Sequence, residues 1–410
     1  MLEVKQVYRP VRVRKGKTAT EFIFKSFLCH GKVSDFADYY YEISFDGGLT
    51  KSKHMEFEID PLGECIVEVP EVLQFADKDA YIRFVFTAKE DLEYCEKGYE
   101  ICFDQIKLET GSDCEQESLT EAGNAESVPE IREGALRIDV DFGKLQYSYN
   151  RRSCCFDSIC YKGKELLDKP ISFNFFRAPI DNDTMRGDWY RAHLHDYVVK
   201  GYGAEVSSTA SGVEIKQKQS FGWSIHQPIA YMDVVYRLTA TGMDIYCELE
   251  TGNKVTFLPR FGVRLFVPKC FDKVSYYGYG PYESYIDKHQ ASYIGNFEAE
   301  ISDMHEDYIK AQENSSHFGC KHVTITDGET AITFTSTDGL SFNASEYSQE
   351  ELASKRHNYD LVKSTSNILC VDYKMAGVGS NACGPALAEK YRLLLPKFSA
   401  EFHMTIGDKN

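Results

Sequence analysis

Phe173-Asn-Phe-Phe-Arg-Ala-Pro-Ile-Asp-Asn-Asp-Thr184 is the stretch around which the chain is organised. A small β-rich region and an acidic segment precede it, and a much longer β-rich region follows it. The aromatic residues indicate a strand, while Arg177 and the cluster Asp181-Asn182-Asp183 indicate an abrupt turn whose side chains bond backbone N–H groups. We interpret the cluster as a structural corner, with a binding site as the alternative, because buried polar groups usually satisfy the backbone.

Residues 1–108 are predicted to form an immunoglobulin-like β-sandwich. Short runs rich in β-branched and aromatic residues, beginning with Val4 to Val13, are separated by turns, and Asp46-Gly47-Gly48 has the composition of a hairpin turn. Residues 109–130 contain seven acidic residues and no Lys or Arg. Such a segment buries too little apolar surface to offset its ordering entropy, so a mobile linker is predicted there.

Residues 131–410 are predicted to form one large sandwich, which makes the fold class all-β. Apolar and polar residues alternate from Leu136 to Phe142, and the chain turns at Gly143-Lys144. Asp327-Gly328 marks a second hairpin. Helical signals are few: a short helix within Thr184 to Val199, and capping-box spacing from Ser348 to Glu351.

Charge restricts the partners of the chain. The net charge of −17 over 410 residues disfavours nucleic acid and anionic membrane surfaces, since both repel an acidic protein. The N-terminus lacks the apolar region of a signal peptide, and no apolar run approaches membrane-spanning length. A neutral substrate or a protein partner stays open.

The 13 cysteines are odd in number and irregularly spaced, with no CxxC pair. This pattern favours free thiols in a reducing cytoplasm over a zinc or redox motif. His317, Cys320 and His322 are residue types that ligate metals, but the alternating run after His322 favours strand-edge positions instead. We therefore predict no metal site.

Several motifs together resemble family 2 glycoside hydrolases of the β-galactosidase type. Phe173 to Asp183 resembles the signature that opens their C-terminal domain, and Tyr279-Gly-Pro-Tyr-Glu-Ser-Tyr-Ile-Asp-Lys288 is similar to their Gly-Pro-x-Glu-x-Tyr-x-Asp-Arg motif. Further segments follow in the family's order: Ile301 to Met304, Gln312 to Asn314, Tyr347 to Leu352 and Gly377 to Gly379. Residues 1–108 resemble the sandwich that follows the family's catalytic barrel.

The resemblance implies a galactose-mutarotase-like supersandwich and membership of a bacterial enzyme that hydrolyses terminal β-galactosides such as lactose. Retaining hydrolysis requires two carboxylates about 5 Å apart. In the family both are glutamates on the barrel, one within an Asn-Glu dipeptide that this sequence lacks. The chain is thus expected to be a C-terminal portion with no catalytic residue and no cofactor, inactive alone, whose partner is that barrel. Family members are often multimers, so a homo-oligomer is also expected.

Residues Ser380, Asn381 and Cys383 are the candidate substrate-binding positions. They follow the Gly377-Val-Gly379 motif, in the loop where the family presents a Trp ring to the sugar, and Cys383 occupies that Trp position. A thiol lacks a broad ring face. The resemblance therefore implies only a place at the active-site rim, and an ordinary sandwich loop is the alternative.

Glu283, Tyr285 and Asp287 are interpreted as structural motif residues. Two carboxylates four positions apart beside a tyrosine resemble a catalytic pair, but a polar network that fixes a turn is favoured. Trp189 and Trp223 are residue types that stack on sugars, with core packing as the favoured assignment.

Two other functions are compatible with the sequence. A mutarotase-like aldose epimerase would pair a His base with a carboxylic acid, and His193, His195, His226 and His289 supply that residue type. A carbohydrate-binding module is the second alternative, although fold alone confers neither function.

Overall fold

A computed structural model of the chain describes residues 1–45, 47–75, 79–108, 129–209, 212–252, 255–379, 385–394 and 396–409. These residues form two compact units. The first unit contains residues 1–108 together with Tyr279–Pro281 and His289–Asn296. The second contains the remaining described residues from 129 to 409. The linker predicted at residues 109–130 falls almost entirely on residues outside the described ranges.

The first unit is built from two antiparallel sheets. Its strands are β1 Val11–Lys15, β2 Glu21–Ser26, β3 Ala37–Phe45, β4 Gly48–Met55, β5 Glu64–Glu68, β6 Ala80–Ala88 and β7 Glu100–Lys107. The sheet order is β1-β2-β5 in one sheet and β4-β3-β6-β7 in the other. Phe22 and Phe24 of β2 pack edge-on against Phe84 of β6, at centroid distances of 4.9 and 5.0 Å. Alternate residues of the two sheets therefore form one shared core.

The second unit contains a five-stranded sheet and a much larger one. The five-stranded sheet comprises β8 Glu130–Glu133, β9 Arg137–Asp141, β10 Leu145–Asn150, β11 Cys155–Tyr161 and β12 Lys164–Glu165. The later strands are β13 Lys169–Asn174, β14 Val198–Thr209, β15 Gly212–Gly222, β16 Ala230–Leu238, β17 Gly242–Thr251, β18 Phe257–Leu258, β19 Arg260–Val267, β20 Lys273–Gly280, β21 Tyr293–Glu300, β22 Ser316–Thr326, β23 Thr330–Ser345, β24 Asn367–Met375, β25 Leu393–Leu394 and β26 Lys397–Asp408.

The large sheet runs β13-β19-β24-β23-β26-β17-β16-β15-β14, and off this path β22 pairs with β23 and β20, and β20 pairs with β21. Residues 279–280 of β20 and 293–296 of β21 belong to the first unit. Although β13 and β15 lie far apart in this order, Phe173 of β13 contacts Phe221 of β15 at a centroid distance of 6.2 Å. The sheet therefore curls, and its inner face joins the five-stranded sheet around one apolar core. The prediction of an all-β fold with a small sandwich followed by a large one is confirmed.

Helices are short. They are α1 Leu2–Val7, α2 Arg186–Arg191 and α3 Gln349–Ser354. The predicted helical signals are confirmed at α2 and at α3, where the Ser348 side chain accepts from the backbone N–H of Glu351 at 3.1 Å. No helix in the described ranges is long and apolar enough to cross a membrane.

The prediction of a strand from Val4 to Val13 is wrong over its first half, where α1 forms instead. The side-chain amide of Gln6 is buried and donates to the carbonyl oxygen of Phe103 at 2.8 Å, while it accepts from the backbone N–H of the same residue at 3.4 Å. The helix turns Gln6 onto β7, and the Lys5 ammonium also donates to the carbonyl oxygen of Glu100 in β7 at 2.6 Å. These tertiary contacts, rather than local strand propensity, decide the structure of the segment.

Candidate functional site

The segment after β13 is fixed by a buried ion pair. Nη2 of Arg177 donates to Oδ1 of Asp183 at 2.8 Å, and Oδ2 of Asp183 accepts from the backbone N–H of Ile180 at 2.9 Å. Arg177 is fully buried and Asp183 is nearly so. Burial raises the pKa of Asp183, and the charge of Arg177 opposes that shift. Asp183 therefore closes the turn and compensates a guanidinium that water does not reach.

The other two residues of the cluster lie nearer the surface. Asp181 is exposed and pairs with the ammonium group of Lys310, while Asn182 is half-buried. The three residues of the Asp-Asn-Asp cluster thus have different environments. Of the three, only Asp183 forms the buried ion pair with Arg177.

Asp287 fixes a second segment that is distant in sequence. Its Oδ1 accepts from the backbone N–H of Val378 at 2.8 Å, and its Oδ2 accepts from that of Gly379 at 3.0 Å. Arg177 Nη2 also donates to the carbonyl oxygen of Gly377 at 3.1 Å. A Cβ atom at Gly377 would lie 2.4 Å from Oδ2 of Asp287, so glycine is required for this close approach. Two motifs therefore converge on Gly377 to Gly379.

Residues Ser380, Asn381 and Cys383 lie outside the described residues. The structure places the stem on which they follow, Gly377 to Gly379, and describes the chain again from Pro385. Their assignment to an active-site rim stays a prediction.

Glu283 occupies the centre of a separate hydrogen-bond network. Its carboxylate accepts from the Lys288 ammonium and the Tyr308 hydroxyl, and from the backbone N–H of Ser315 at 3.0 Å. The Tyr285 hydroxyl is a longer donor at 3.5 Å. Glu283 and Asp287 therefore bond to different partners, and each carboxylate holds a different part of the backbone.

Charge is balanced inside this network. Burial disfavours the ammonium form of Lys288, but the charge of Glu283 and its hydrogen bond outweigh burial and raise the pKa of Lys288. Burial, reinforced by the charge of Glu283, raises the pKa of Tyr308 to about 12. At neutral pH Lys288 is therefore a cation and Tyr308 a neutral phenol.

A third buried cluster lies next to the first, and the sequence analysis missed it. Arg260 Nε and Nη2 donate to the two carboxylate oxygens of Asp372 at 3.0 and 2.5 Å, and Nη1 donates to Glu313 at 3.4 Å. Arg260 and Asp372 are fully buried. The backbone N–H of Glu313 donates to the carbonyl oxygen of Ala178, which joins this cluster to the turn held by Arg177. The sequence offered one signal for this cluster: each of the apolar runs that form β19 and β24 contains a charged residue, Arg260 in the first and Asp372 in the second.

His317, Cys320 and His322 do not converge on a common point. The ring of His317 packs against Tyr276 and Phe342, and the buried thiol of Cys320 donates to the carbonyl oxygen of His317. His322 lies opposite Thr335 in the pairing of β22 with β23. Within the described ranges no group of three or more His, Cys, Asp and Glu side chains is arranged to hold a metal ion.

Three of the four histidines considered for an epimerase, His193, His195 and His226, lie together beside Trp223. The ring of His193 stacks on Trp223 at 4.8 Å and lies 5.9 Å from the ring of His226. His193 and His195 both approach Asp196, at 3.0 and 3.3 Å. His289 belongs to the first unit. Trp189 is buried, as predicted, whereas the prediction of core packing is wrong for Trp223, which is 37% exposed. The four histidines therefore do not form one site.

Two sequence families match the chain in succession. Residues 142–406 match "Beta galactosidase small chain", and residues 30–109 match "Beta-galactosidase, domain 4". The chain belongs to the β-galactosidase small chain family. The first match spans β10 to β26 and includes all three buried clusters.

Curated relatives of the family are much longer proteins. The β-galactosidase of Actinobacillus pleuropneumoniae is 29% identical over 411 residues, which cover 100% of this chain and 40% of that protein. The β-galactosidase of Staphylococcus xylosus is 30% identical over 333 residues, 79% of this chain and 33% of that protein. The chain therefore spans less than half the length of these relatives.

Two solved structures are similar to about two thirds of the chain. A galactose mutarotase-like protein from Lactobacillus casei is 10% identical with a TM-score of 0.35, and covers 67% of this chain and 100% of that chain. A putative aldose 1-epimerase from Escherichia coli is 9% identical with a TM-score of 0.36, and covers 69% and 99%. At these values neither likeness bears on function.

Proposed function

We propose that the chain is the non-catalytic C-terminal portion of a family 2 β-galactosidase, in which it supplies scaffold and the rim of the active site. The whole enzyme would hydrolyse terminal β-galactosides such as lactose with two glutamates on a barrel domain. That barrel is the proposed partner of this chain. The β-galactosidase relatives, of which the chain spans 40% or less, support this assignment.

The observation that carries the proposal is the structural use of four carboxylates in the three clusters. Retaining hydrolysis needs one carboxylate free to attack the sugar and a second that exchanges a proton with the leaving group. Asp183 and Asp372 are bonded to buried guanidinium groups, and Asp287 accepts from two backbone N–H groups. Glu283 is bonded to Lys288 and Tyr308. None of these is available as a nucleophile.

The convergence on Gly377 to Gly379 supports the role at the rim. Arg177 and Asp287 hold three consecutive backbone groups through charged hydrogen bonds, which are stronger than neutral ones. A loop that begins from so fixed a stem is suited to present side chains such as Ser380, Asn381 and Cys383 to a site supplied by another domain.

The test is a chimera. The part of the Actinobacillus pleuropneumoniae β-galactosidase outside the matched region would be fused to this chain, and the native relative would serve as the control. The chimera is expected to cleave a chromogenic galactoside, whereas the isolated chain is not. Cleavage by the isolated chain, purified from a host that lacks β-galactosidase, would contradict the proposal, as would a folded but inactive chimera.

The same preparation tests the epimerase alternative. Polarimetry of galactose anomers should give the buffer rate in the presence of the isolated chain. A rate well above buffer would favour the epimerase and count against a non-catalytic role.

We also propose a cytoplasmic location and assembly into a homo-oligomer. Buried free thiols in both cores, Cys102, Cys247, Cys320 and Cys370, support a reducing compartment. Sedimentation of the active chimera tests the oligomer, and a monomer at working concentration would contradict it.

A further inference from the structure

The second unit encloses a cavity of about 300 Å³ that none of the three polar clusters uses. Its buried wall is formed by apolar and aromatic residues of β15 to β17 and β19, chiefly Phe221, Tyr236, Ile245 and Val263. Pro170, which also lines it, is exposed, and Val199 is half-buried. The cavity therefore extends from the core toward solvent, as a ligand site must.

One polar side chain of this wall has no partner. Gln219 of β15 is 1% exposed, and neither its Nε2 nor its Oε1 has a hydrogen-bond partner among the described residues. Gln217, two positions earlier on the same face, contrasts with it: its amide donates to the carbonyl oxygen of Lys218 and accepts from the Tyr149 hydroxyl at 3.0 Å. An unpaired buried amide is costly. Gln219 thus offers both a donor and an acceptor to an occupant of the cavity.

Other polar groups of the wall already contact groups of the chain, including His195, whose Nδ1 lies 3.3 Å from Oδ1 of Asp196 but makes no hydrogen bond among the described residues. The Tyr197 hydroxyl donates to the carbonyl oxygen of Phe173, and the thiol of Cys155 lies 3.1 Å from Oγ of Ser153. The charge of Arg264 is compensated by Glu350 at 2.7 Å, although its Nε has no partner among the described residues. The cavity therefore favours a neutral occupant with one or two polar groups.

The volume of the cavity and its aromatic lining favour a ligand with a single ring. A cavity of roughly 150 Å³ lined by apolar side chains admits benzene, so about 300 Å³ accommodates a substituted ring. Phe221 and Tyr236 offer the aromatic edges and faces against which such a ring packs. A hexose would carry more hydroxyl groups than Gln219 and Arg264 can satisfy, and each unsatisfied group would oppose binding.

We propose that this cavity binds a small neutral aromatic alcohol, with its hydroxyl on the Gln219 amide and its ring between Phe221, Tyr236 and Val263. Binding is reversible and involves no covalent step. The site shares no residue with the three polar clusters.

The experiment compares phenol, toluene and galactose on the full chain by ligand-observed NMR saturation transfer and by titration calorimetry. Phenol is expected to bind with a dissociation constant on the order of 1 mM, and galactose at the same concentration is expected to give no transfer. Val263→Phe places a ring in the cavity and should abolish binding of both phenol and toluene.

The variant Gln219→Leu tests the assigned hydrogen bond. It should weaken phenol binding about tenfold while toluene binding is kept, because only phenol loses a partner. Lys218→Ala, on the exposed face of the same strand, is the matched control and should change neither. If Gln219→Leu does not fold, the wild-type preference for phenol over toluene serves as the readout.

Three results would overturn the proposal. If no saturation is transferred from the wild-type chain to phenol, the chain does not bind phenol and the proposed site is wrong. If Gln219→Leu and wild type bind phenol equally well, the Gln219 amide does not contribute to binding. If the wild-type chain binds galactose and Val263→Phe does not, the ligand of the cavity is a sugar and not an aromatic alcohol. None of these results depends on hydrolysis, so they are distinguishable from failure of the chimera.

Discussion

Gly377 shows how a single hydrogen atom in place of a side chain allows two motifs to meet. The Asp287 carboxylate approaches its Cα so closely that a Cβ atom would lie 2.4 Å from Oδ2. At Gly379 the nearest atom to a Cβ would be 3.8 Å away, an ordinary contact distance. The two glycines of one motif therefore have different structural requirements.

Gly377→Ala is expected to displace Asp287 and weaken its bonds to Val378 and Gly379. The free energy of unfolding should fall by roughly 1–3 kcal/mol, as for other overpacked sites, and the chimera should lose activity. Denaturant unfolding measures the first effect. Gly379→Ala is the control and should change stability by less than about 1 kcal/mol; equal effects of the two variants would contradict the geometric argument.

Substitutions of Arg260 and of Asp372 are expected to have non-additive effects on the free energy of unfolding. Asp372→Asn leaves a buried guanidinium with only Glu313 as a charged partner, and should cost about 3–5 kcal/mol of unfolding free energy. The double variant Arg260→Met with Asp372→Leu should cost less than the sum of the two single variants, because each single variant already removes the bond between the two side chains; the double variant still leaves the Glu313 carboxylate without its bond from Arg260. A double-mutant cycle measures the coupling, and additive costs would contradict it.

Buried ion pairs were predictable from the sequence only where both partners lie in the same short motif. Arg177 and Asp183 lie six positions apart, whereas Arg260 and Asp372 are brought together by the pairing of β19 with β24. Pairing between distant strands is set by the whole core and leaves no local signal. Similarly, the sequence did not show that Asp287 bonds to the backbone of a loop 91 residues away.

Strands with one buried face were the elements most readily predicted. In β9 the burial alternates residue by residue, which matches the alternation seen in the sequence. The N-terminal segment was mistaken for a strand because the polar contacts that fix it are tertiary: Lys5 and Gln6 bond to the backbone of β7, and Glu3 accepts from the backbone N–H groups of residues 290 and 291. Periodicity thus predicts the element when a sheet face is buried, and fails when a short segment is fixed by polar tertiary contacts.

β17 and β26 carry a titratable pair at a directly opposed position. Nδ1 of His403 lies 2.9 Å from Oδ1 of Asp244, and the two residues are partners in the strand register. The hydrogen bond to Asp244 raises the pKa of His403, and burial opposes this only in part. The folded state therefore retains the proton of His403 to higher pH than the unfolded chain does.

Because of the hydrogen bond between His403 and Asp244, the free energy of unfolding is expected to fall slightly as the pH rises. Because the folded pKa lies above the unfolded value of about 6.5, the contribution is complete below pH 6.5 and disappears as the pH rises through the folded pKa. It should be under about 1 kcal/mol, since both side chains are about one-third exposed. Thermal unfolding between pH 6 and 8 should show a flatter profile for His403→Gln, while His54→Gln on exposed β4 should follow wild type.

At the scale of the whole molecule, the first unit depends on residues from the middle of the chain. The ring of Tyr293 lies 3.9 Å from the guanidinium of Arg83 and contacts Phe103 edge-on at 5.6 Å. The Gln105 side chain exchanges two hydrogen bonds with the backbone of Ile294, each of 2.8 Å. Composition located the acidic segment at 109–130, but no local pattern indicated that residues 289–296 would join the first unit.

Tyr293→Ala is accordingly expected to destabilise the first unit. Loss of the ring from Arg83 and Phe103 should lower the local free energy of opening by roughly 1–3 kcal/mol. Amide hydrogen exchange in β6 and β7 measures this directly. Tyr94→Ala, at an exposed position of the same unit, is the control; unchanged exchange in β6 and β7 of Tyr293→Ala would contradict the prediction.

The inclusion of residues 289–296 in the first unit also constrains biosynthesis. On the ribosome, β1 to β7 emerge long before Tyr293 and Ile294 are translated, so until then the Arg83 guanidinium lacks the Tyr293 ring and the Gln105 side chain lacks the backbone of Ile294. A gene divided anywhere between codons 108 and 279 would distribute this unit over two products. Neither product could then complete it without the other.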